Sequence, residues 1–231
     1  MRRRSGVKFQ AIWTGGSRQL KGDPVFGPWV SKIGLIRVPE ISSEPFFYLA
    51  RTIIYQQLAG PAARTIHERF IEALRGEVTP KRVTQASDDT IRNAGLSANK
   101  LTALRDLTNK VSSGEVCIHD LDKQTDEEVT RRLTLVRGIG PWTAHMYMMF
   151  QLHRPDIWPV GDLGVRSGFA KVHGLDSAPS QKLLERLGDL YRPWRSAAAF
   201  YCWRALEHLS LIHISEPTRR TPISYAVFCL K

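Results

Sequence analysis

A glycine-rich turn, residues 135–140 (LVRGIG) followed by Pro141, constrains the fold of this chain more than any other stretch. Two glycines on either side of one apolar residue let the backbone turn tightly and bring its amides close to a partner. Pro141 suits the first turn of a helix, where its missing N–H breaks no hydrogen bond. The pattern predicts two helices joined by a tight turn, with amides at a helix N-terminus that form an anion site.

Charge and cysteine content narrow the class of protein. The 231-residue chain has a formal net charge of +11 and a pI near 9.9, which favours a polyanionic partner without distinguishing DNA, RNA and a membrane surface. No run approaches the ~18 apolar residues of a membrane span, so we predict no membrane partner. Cys117, Cys202 and Cys229 are too scattered for a disulfide framework or a metal motif, which favours a reducing, intracellular compartment.

Helix-start signals recur along the chain, and no strand pattern precedes residue 210, so the fold class is predicted to be all-α. Residues 1–22 are basic and glycine-rich without clear periodicity, and we interpret them as a loose N-terminal arm. Residues 210–231 continue no helical pattern and resemble vector-derived sequence. We interpret them as a non-native tail and exclude them from the fold.

Three stretches carry a family resemblance when taken together. They are LVRGIGPWTA at 135–144, PDIWPVGD at 155–162 and PWRSAAAFYCWR at 193–204. In this order they resemble the hairpin, the loop to the catalytic aspartate and a late helix of the helix-hairpin-helix DNA glycosylase superfamily. The branch that the chain resembles is the alkylated-base (3-methyladenine) DNA glycosylase II family, over about residues 23–207.

The resemblance implies two helical subdomains with a cleft between them, within a glycosylase domain at 23–209. The middle subdomain is expected at about 52–160. The second subdomain is expected to combine 23–51 with 161–209. The relatives that carry an iron–sulfur cluster need four cysteines, so the resemblance implies no such cofactor here.

Asp162 is the candidate catalytic residue. Read alone, an aspartate before the helical segment 163–173 is a helix N-cap, and that role is compatible with catalysis because a cap residue is held rigidly. The resemblance places it where the family has its catalytic carboxylate. A negative charge there would stabilise the oxocarbenium character that develops when an N-glycosidic bond breaks, and could orient the attacking water.

Four residues are candidates for the base pocket: Trp142, Trp203, Met146 and Tyr55. Indole faces attract a cationic alkylated base, although core packing is an equally good reading for both tryptophans. Met146 lies one turn beyond Trp142, where the family has an aromatic residue. Trp142 stands where strand-cleaving relatives have a Schiff-base lysine, so the resemblance implies a monofunctional enzyme.

Contacts with DNA are expected at two turns. Gln57 and Leu58 match the family's wedge, which enters the gap left by a flipped nucleotide, although a plain helix connection explains the same turn. In the hairpin, a phosphate would be held by the amides and hydroxyl of Gly138, Ile139, Gly140 and Thr143. A monovalent cation, Na⁺ or K⁺, would be held there by the backbone carbonyls of Thr134, Val136 and Ile139. Basic side chains that could add phosphate contacts are Arg137, Arg166, Lys171, Arg192 and Arg195.

The sequence thus predicts a monomeric, monofunctional DNA glycosylase that acts on duplex DNA containing a damaged base. Its substrates would be alkylated purines such as 3-methyladenine and 7-methylguanine, in the cytoplasm and nucleoid or, in a eukaryote, the nucleus. Two alternatives remain: a glycosylase for deaminated or oxidised bases, and a non-catalytic helix-hairpin-helix module that only binds DNA. Asp162 beyond a tryptophan-bearing helix favours catalysis, because binding alone requires neither.

Overall fold

The structure, a computed structural model, describes residues 3–37 and 44–210. Within these ranges the chain forms α-helices and two short 3-10 turns and no strand, so the all-α prediction is confirmed. The helices are α1 (Arg3–Lys21), α2 (Phe26–Ile33), α3 (Pro45–Tyr55), α4 (Gly60–Ala73), α5 (Pro80–Gln85), α6 (Asp88–Asn93), α7 (Ala98–Ser112), α8 (Asp126–Leu133), α9 (Pro141–Phe150), α10 (Leu163–His173), α11 (Gln181–Gly188) and α12 (Arg195–Ser210). In the part of the chain described, no helix is both long and apolar enough to cross a membrane.

Polar caps begin half of these helices, as their sequences predict. In each, a side-chain oxygen accepts a hydrogen bond from the backbone N–H three residues later, satisfying a donor that the helix leaves unpaired. Each such cap stabilises its helix by about 1 kcal/mol. The capping residues are Thr79, Ser87, Ser97, Thr125, Asp162 and Ser180.

Residues 3–21 form a helix, so the prediction of a loose arm at 1–22 is wrong for these residues. α1 packs against α2 and α12 and buries Trp13 and Leu20. Its glycines look like breakers in the sequence, but they serve close packing: a Cβ on Gly16 would lie 2.8 Å from the Cβ of Ala197. The helix therefore owes its stability to tertiary contacts rather than to helix propensity.

The middle unit spans Ile41–Leu152, which differs from the predicted 52–160. Its described part contains α3 to α9. The predicted boundary between residues 51 and 52 divides α3 and assigns 45–51 to the other subdomain, but α3 packs as a whole against α4, α7 and α9. Ile53 and Ile54 of α3 are fully buried, so α3 is a core helix of the middle unit.

The second unit combines Met1–Glu40 with His153–Lys231. The segment that follows residue 152 was predicted to belong to the middle subdomain up to residue 160. Ser196, at the start of α12, holds it in the second unit: the Ser196 hydroxyl donates to the Arg154 carbonyl at 2.6 Å and accepts from the Ile157 N–H at 2.9 Å. The predicted tail lies outside the described residues from 211 onwards.

A close crossing of α10 and α12 forms the centre of the second unit. A Cβ on Gly168 of α10 would lie 2.1 Å from the backbone oxygen of Cys202 on α12, closer than real Cβ atoms come. A glycine here lets the two backbones approach each other. Around the crossing, Val165, Ala198 and Cys202 are fully buried.

We expect Gly168→Ala to destabilise the protein by about 3 kcal/mol, because the added methyl meets backbone that a rotamer change cannot move. The matched control is Gly22→Ala, since a Cβ on Gly22 would make an ordinary contact at 3.6 Å with the Gln19 oxygen. Urea denaturation measures both changes. Equal stability of the two variants would show that the crossing is looser than described.

Candidate active site and DNA-contacting turns

Asp162 is the N-cap of α10, and its carboxylate is held from two helices. The Oδ1 atom accepts hydrogen bonds from the Val165 N–H at 2.8 Å and from the Trp203 indole Nε1–H, on α12, at 3.0 Å. Asp162 is 4% exposed and Trp203 is 2% exposed. The side chain therefore lies in a water-poor setting with its orientation fixed by N–H donors.

The surroundings of Asp162 stabilise a negative charge. The positive end of α10 and both N–H donors point at the carboxylate. Cys202, next to Trp203 in sequence, has its thiol pKa raised by burial and, further, by the charge of Asp162. Cys202 is fully buried, and the thiol with this raised pKa keeps its proton.

The loop that leads to Asp162 is braced by ion pairs at the start of α12. Arg195 Nε donates to Asp156 Oδ1 at 2.7 Å, and Arg192 Nη1 donates to Asp156 Oδ2 at 2.7 Å. Arg192 and Arg195, which the sequence offered as phosphate contacts, are thus engaged within the protein. Trp158 supports the same loop, donating from Nε1 to the Leu184 carbonyl at 2.9 Å.

The predicted base-pocket residues have different surroundings. Trp142, in the first turn of α9, is partly exposed, whereas Met146, one turn later, is buried. Tyr55 is buried too, with the Arg51 guanidinium 4.4 Å from its ring centroid and the His67 ring at 5.7 Å. Trp203 acquires a role that the sequence did not indicate, because its indole N–H orients the Asp162 carboxylate.

The hairpin turn between α8 and α9 is held by side chains of α7. Gly138 has φ +81, a left-handed conformation that favours glycine. Asp106 Oδ2 accepts from the Arg137 N–H at 2.7 Å, and Lys110 Nζ donates to the Leu135 carbonyl at 2.6 Å. Sequence reasoning missed Asp106 and Lys110, because nothing local marks a residue of α7 as a support for a distant turn.

The hairpin amides are not equivalent. Ile139 is buried and its N–H already donates to the Val136 carbonyl at 3.0 Å. Thr143 is also buried, at 4% exposure. By contrast, Gly138 is exposed and Gly140 partly exposed, and within the described ranges no hydrogen bond uses either N–H. An anion at this turn would therefore meet the two glycine amides first.

The predicted wedge lies in the turn between α3 and α4. Gln57 is exposed and has φ +55, a left-handed conformation that is uncommon for a residue with a side chain, and Leu58 is half-buried. Strained backbone of this kind often marks a functional position. The preceding residue, Gln56, donates from Nε2 to the Gly138 carbonyl at 2.8 Å, a contact that no sequence signal indicated.

Two histidines are buried: His67, whose ring lies against Tyr55, and His153. Burial lowers the pKa of His67 and of His153 to about 4, and the Arg51 charge lowers that of His67 further. The described part of the chain holds no group of three or more His, Cys, Asp or Glu side chains that could bind a metal ion.

Comparison with known proteins places this arrangement in a family. Residues 50–193, which include Asp162, the hairpin and the wedge turn, match the HhH-GPD superfamily of base excision DNA repair proteins. The chain belongs to this superfamily. Among curated relatives, DNA-3-methyladenine glycosylase 1 of Schizosaccharomyces pombe is 32% identical over 164 residues, 70% of this chain and 72% of the relative. The putative DNA-3-methyladenine glycosylase YfjP of Bacillus subtilis is 28% identical over 69% of this chain and 58% of the relative.

Solved structures of this superfamily agree in fold. The 3-methyladenine DNA glycosylase of Schizosaccharomyces pombe, in complex with abasic DNA, matches with a TM-score of 0.73 and 31% identity over 83% of this chain and 96% of that chain. A DNA-3-methyladenine glycosidase from Bacillus halodurans matches with a TM-score of 0.76 and 30% identity over 85% and 91%. The predicted family resemblance and fold are thus confirmed.

The buried histidines predict that this HhH-GPD protein loses stability in mild acid. Between pH 6.5 and 4, the unfolded chain binds protons at His67 and His153 that the folded chain does not, so the free energy of unfolding falls as pH decreases. At pH 5 the loss would be roughly 2 kcal/mol for each histidine. Urea denaturation at pH 7.5 and pH 5 measures it. His67→Phe should show a smaller decrease, and an unchanged decrease would exclude His67 as a cause.

Proposed function

We infer that this protein is a DNA glycosylase that hydrolyses the bond between an alkylated purine and deoxyribose in duplex DNA. The observation that carries the inference is the fixed, water-poor carboxylate of Asp162 in a chain of the base excision superfamily. Curated relatives named DNA-3-methyladenine glycosylase, from Schizosaccharomyces pombe, Saccharomyces cerevisiae and Bacillus subtilis, support the substrate class. The complex of the fission-yeast enzyme with abasic DNA supports duplex DNA as the partner.

The chemistry needs one negative charge beside the anomeric carbon. As the C–N bond lengthens, positive charge develops on the sugar, and the Asp162 carboxylate stabilises it electrostatically. The same carboxylate orients water for attack and accepts its proton, while the bonding electrons leave with the base. A base alkylated on a ring nitrogen is already cationic and leaves as a neutral molecule, so no strong general acid is needed.

The two N–H donors make the Asp162 carboxylate a preorganised group. Because both described bonds hold Oδ1, the side chain does not have to reorient during the reaction, and the surrounding low dielectric strengthens its attraction for the developing cation. Trp203 is a positioning residue in this scheme. The prediction that it also lines the base pocket, with Trp142, Met146 and Tyr55, is retained as part of the proposal.

DNA binding is proposed to use both turns of the middle unit. The amides of Gly138 and Gly140 would donate to a phosphate, supported by the positive end of α9 and by the net charge of +11. Gln57, on its left-handed backbone, would enter the duplex with Leu58. A Na⁺ or K⁺ ion would fit the hairpin carbonyls, since a carbonyl such as that of Val136 keeps a second lone pair when it accepts one hydrogen bond.

The competing functions lack comparable support. Two structures of an 8-oxoguanine glycosylase/lyase from Clostridium acetobutylicum match at 18% identity, which shows the fold alone. In a binding module Asp162 would serve only as the cap of α10, and its negative charge would oppose DNA binding. The monomeric state, the absence of an iron–sulfur cluster and the cytoplasmic or nuclear location stay predictions.

Asp162→Asn tests the proposed chemistry with little structural change, because asparagine also caps helices and keeps an oxygen for both donors. We expect base release from duplex DNA carrying 7-methylguanine to fall at least about 100-fold. Asp89→Asn, on the exposed first turn of α6, makes the same change in net charge and should leave release unchanged. Full release by Asp162→Asn would refute the assigned role, and tight binding without release by the unmodified protein would favour the binding module.

A second prediction concerns strand cleavage. Tryptophan at 142 cannot form an imine, so the product strand should stay intact until alkali cleaves it at the abasic site. Gel electrophoresis of the reaction before and after alkali measures this. A covalent protein–DNA adduct trapped by borohydride would contradict the monofunctional assignment.

A further inference from the structure

The side chain of Gln56 links the two DNA-contacting turns of the middle unit. Its Nε2 donates to the Gly138 carbonyl at 2.8 Å, across 82 positions of sequence. Gln56 ends α3 and comes directly before Gln57, so it belongs to the turn that carries the wedge. Gly138 belongs to the turn that carries the anion site.

This hydrogen bond acts on a peptide that is already held on its other side. The Gly138 carbonyl and the Ile139 N–H belong to one planar peptide unit, and the Ile139 N–H donates to the Val136 carbonyl at 3.0 Å. One residue earlier, the Arg137 N–H donates to Asp106. The peptide group that bears the Gly138 N–H therefore lies between two peptide groups that are held by hydrogen bonds. This fixes the direction in which the Gly138 N–H points.

The wedge turn is fixed by the same contact. Its backbone changes from extended at Gln56, with φ −53 and ψ 134, to left-handed at Gln57. The described backbone hydrogen bonds of the turn are the Gln56 N–H to the Thr52 carbonyl at 3.2 Å and the Leu58 N–H to the Tyr55 carbonyl at 3.4 Å, the latter long. Lys100 holds the end of α3 through the Ile54 carbonyl at 2.6 Å. Beyond the end of α3, the bond from Gln56 Nε2 to the Gly138 carbonyl ties this turn to the hairpin.

We propose that Gln56 is a positioning residue. Its hydrogen bond makes the wedge, Gln57 and Leu58, and the anion site of the hairpin move as one rigid unit. When the hairpin binds a phosphate, the Gln56 bond sets where Gln57 and Leu58 meet the base stack. The wedge then stabilises the extruded nucleotide relative to the stacked one. This role rests on the proposed glycosylase function, because it concerns the extrusion step that precedes base release.

The effect of losing the Gln56 hydrogen bond should depend on how much free energy the extrusion of the damaged nucleotide costs. Loss of the link should slow release when the damaged base is paired, because the wedge must then compensate for unpairing and unstacking. It should matter little when the damaged base faces an abasic-site analogue, since that base is already easy to extrude. A residue that only stabilises the fold, or only contacts a phosphate, would affect both substrates equally.

The test compares Gln56→Met, which keeps the length of the side chain and removes the donor, with the unmodified protein. The matched control is Gln85→Met, the same change on the exposed end of α5. With saturating enzyme, single-turnover release of 7-methylguanine paired with cytosine should fall about tenfold in Gln56→Met, the effect of losing one hydrogen bond. Release of 7-methylguanine opposite a tetrahydrofuran residue should change less than about twofold, with the thermal midpoint of Gln56→Met within about 4 °C of the other two proteins.

A binding measurement tests the same link without catalysis. Fluorescence anisotropy gives the affinity for a duplex with one uncleavable 2′-fluorinated 7-methylguanine paired with cytosine relative to the unmodified duplex, and this ratio should fall about tenfold in Gln56→Met and not in Gln85→Met. Equal losses on both substrates, or no loss on either, would overturn the proposal. If the unmodified protein releases no base, the glycosylase function fails, and the affinity ratio still decides the role of Gln56.

Discussion

The hydrogen bonds to Asp162 Oδ1 are the contacts on which the proposed chemistry depends. One donor comes from α10, which the aspartate caps, and the other from Trp203 on α12. A carboxylate with a single local cap would be fixed relative to its own helix only. The indole N–H fixes it relative to the second unit as a whole, and the surrounding burial keeps water from weakening its charge.

Other features of the second unit maintain this geometry. The glycine at 168 lets α10 and α12 approach until the indole reaches the carboxylate. Asp156 and Ser196 tie the loop before Asp162 to the start of α12, so the aspartate enters α10 from a fixed direction. In the middle unit, the side chains of Asp106, Lys110 and Gln56 hydrogen-bond to the Arg137 N–H, the Leu135 carbonyl and the Gly138 carbonyl of the hairpin. The amides of Gly138 and Gly140 are left for a ligand.

Much of the fold followed from local sequence signals, because those signals reflect local physics. Capping residues begin six of the described helices, and the glycine turn before Pro141 needs the left-handed conformation found at Gly138. Asp162 could be predicted both as a cap and as a site residue. Features that depend on tertiary contacts could not be predicted. α1 looked irregular because its glycines pack against Trp194 and Ala197. The predicted boundary divided α3 because the sequence does not show which helices its apolar residues contact. The partners of Trp203 and Gln56 are distant in the chain, so only the structure reveals them.

The most direct test of the paired Asp162 and Trp203 is a double-mutant cycle on base release, measured in single turnovers with 7-methylguanine in duplex DNA. If Trp203 acts through the carboxylate, Trp203→Phe will slow release about tenfold in the unmodified protein, as expected for the loss of a hydrogen bond to a charged group. It will have no further effect in Asp162→Asn, because the charge that it orients is gone. Equal slowing by Trp203→Phe in both backgrounds would contradict this, and would show that the indole contributes independently of the carboxylate.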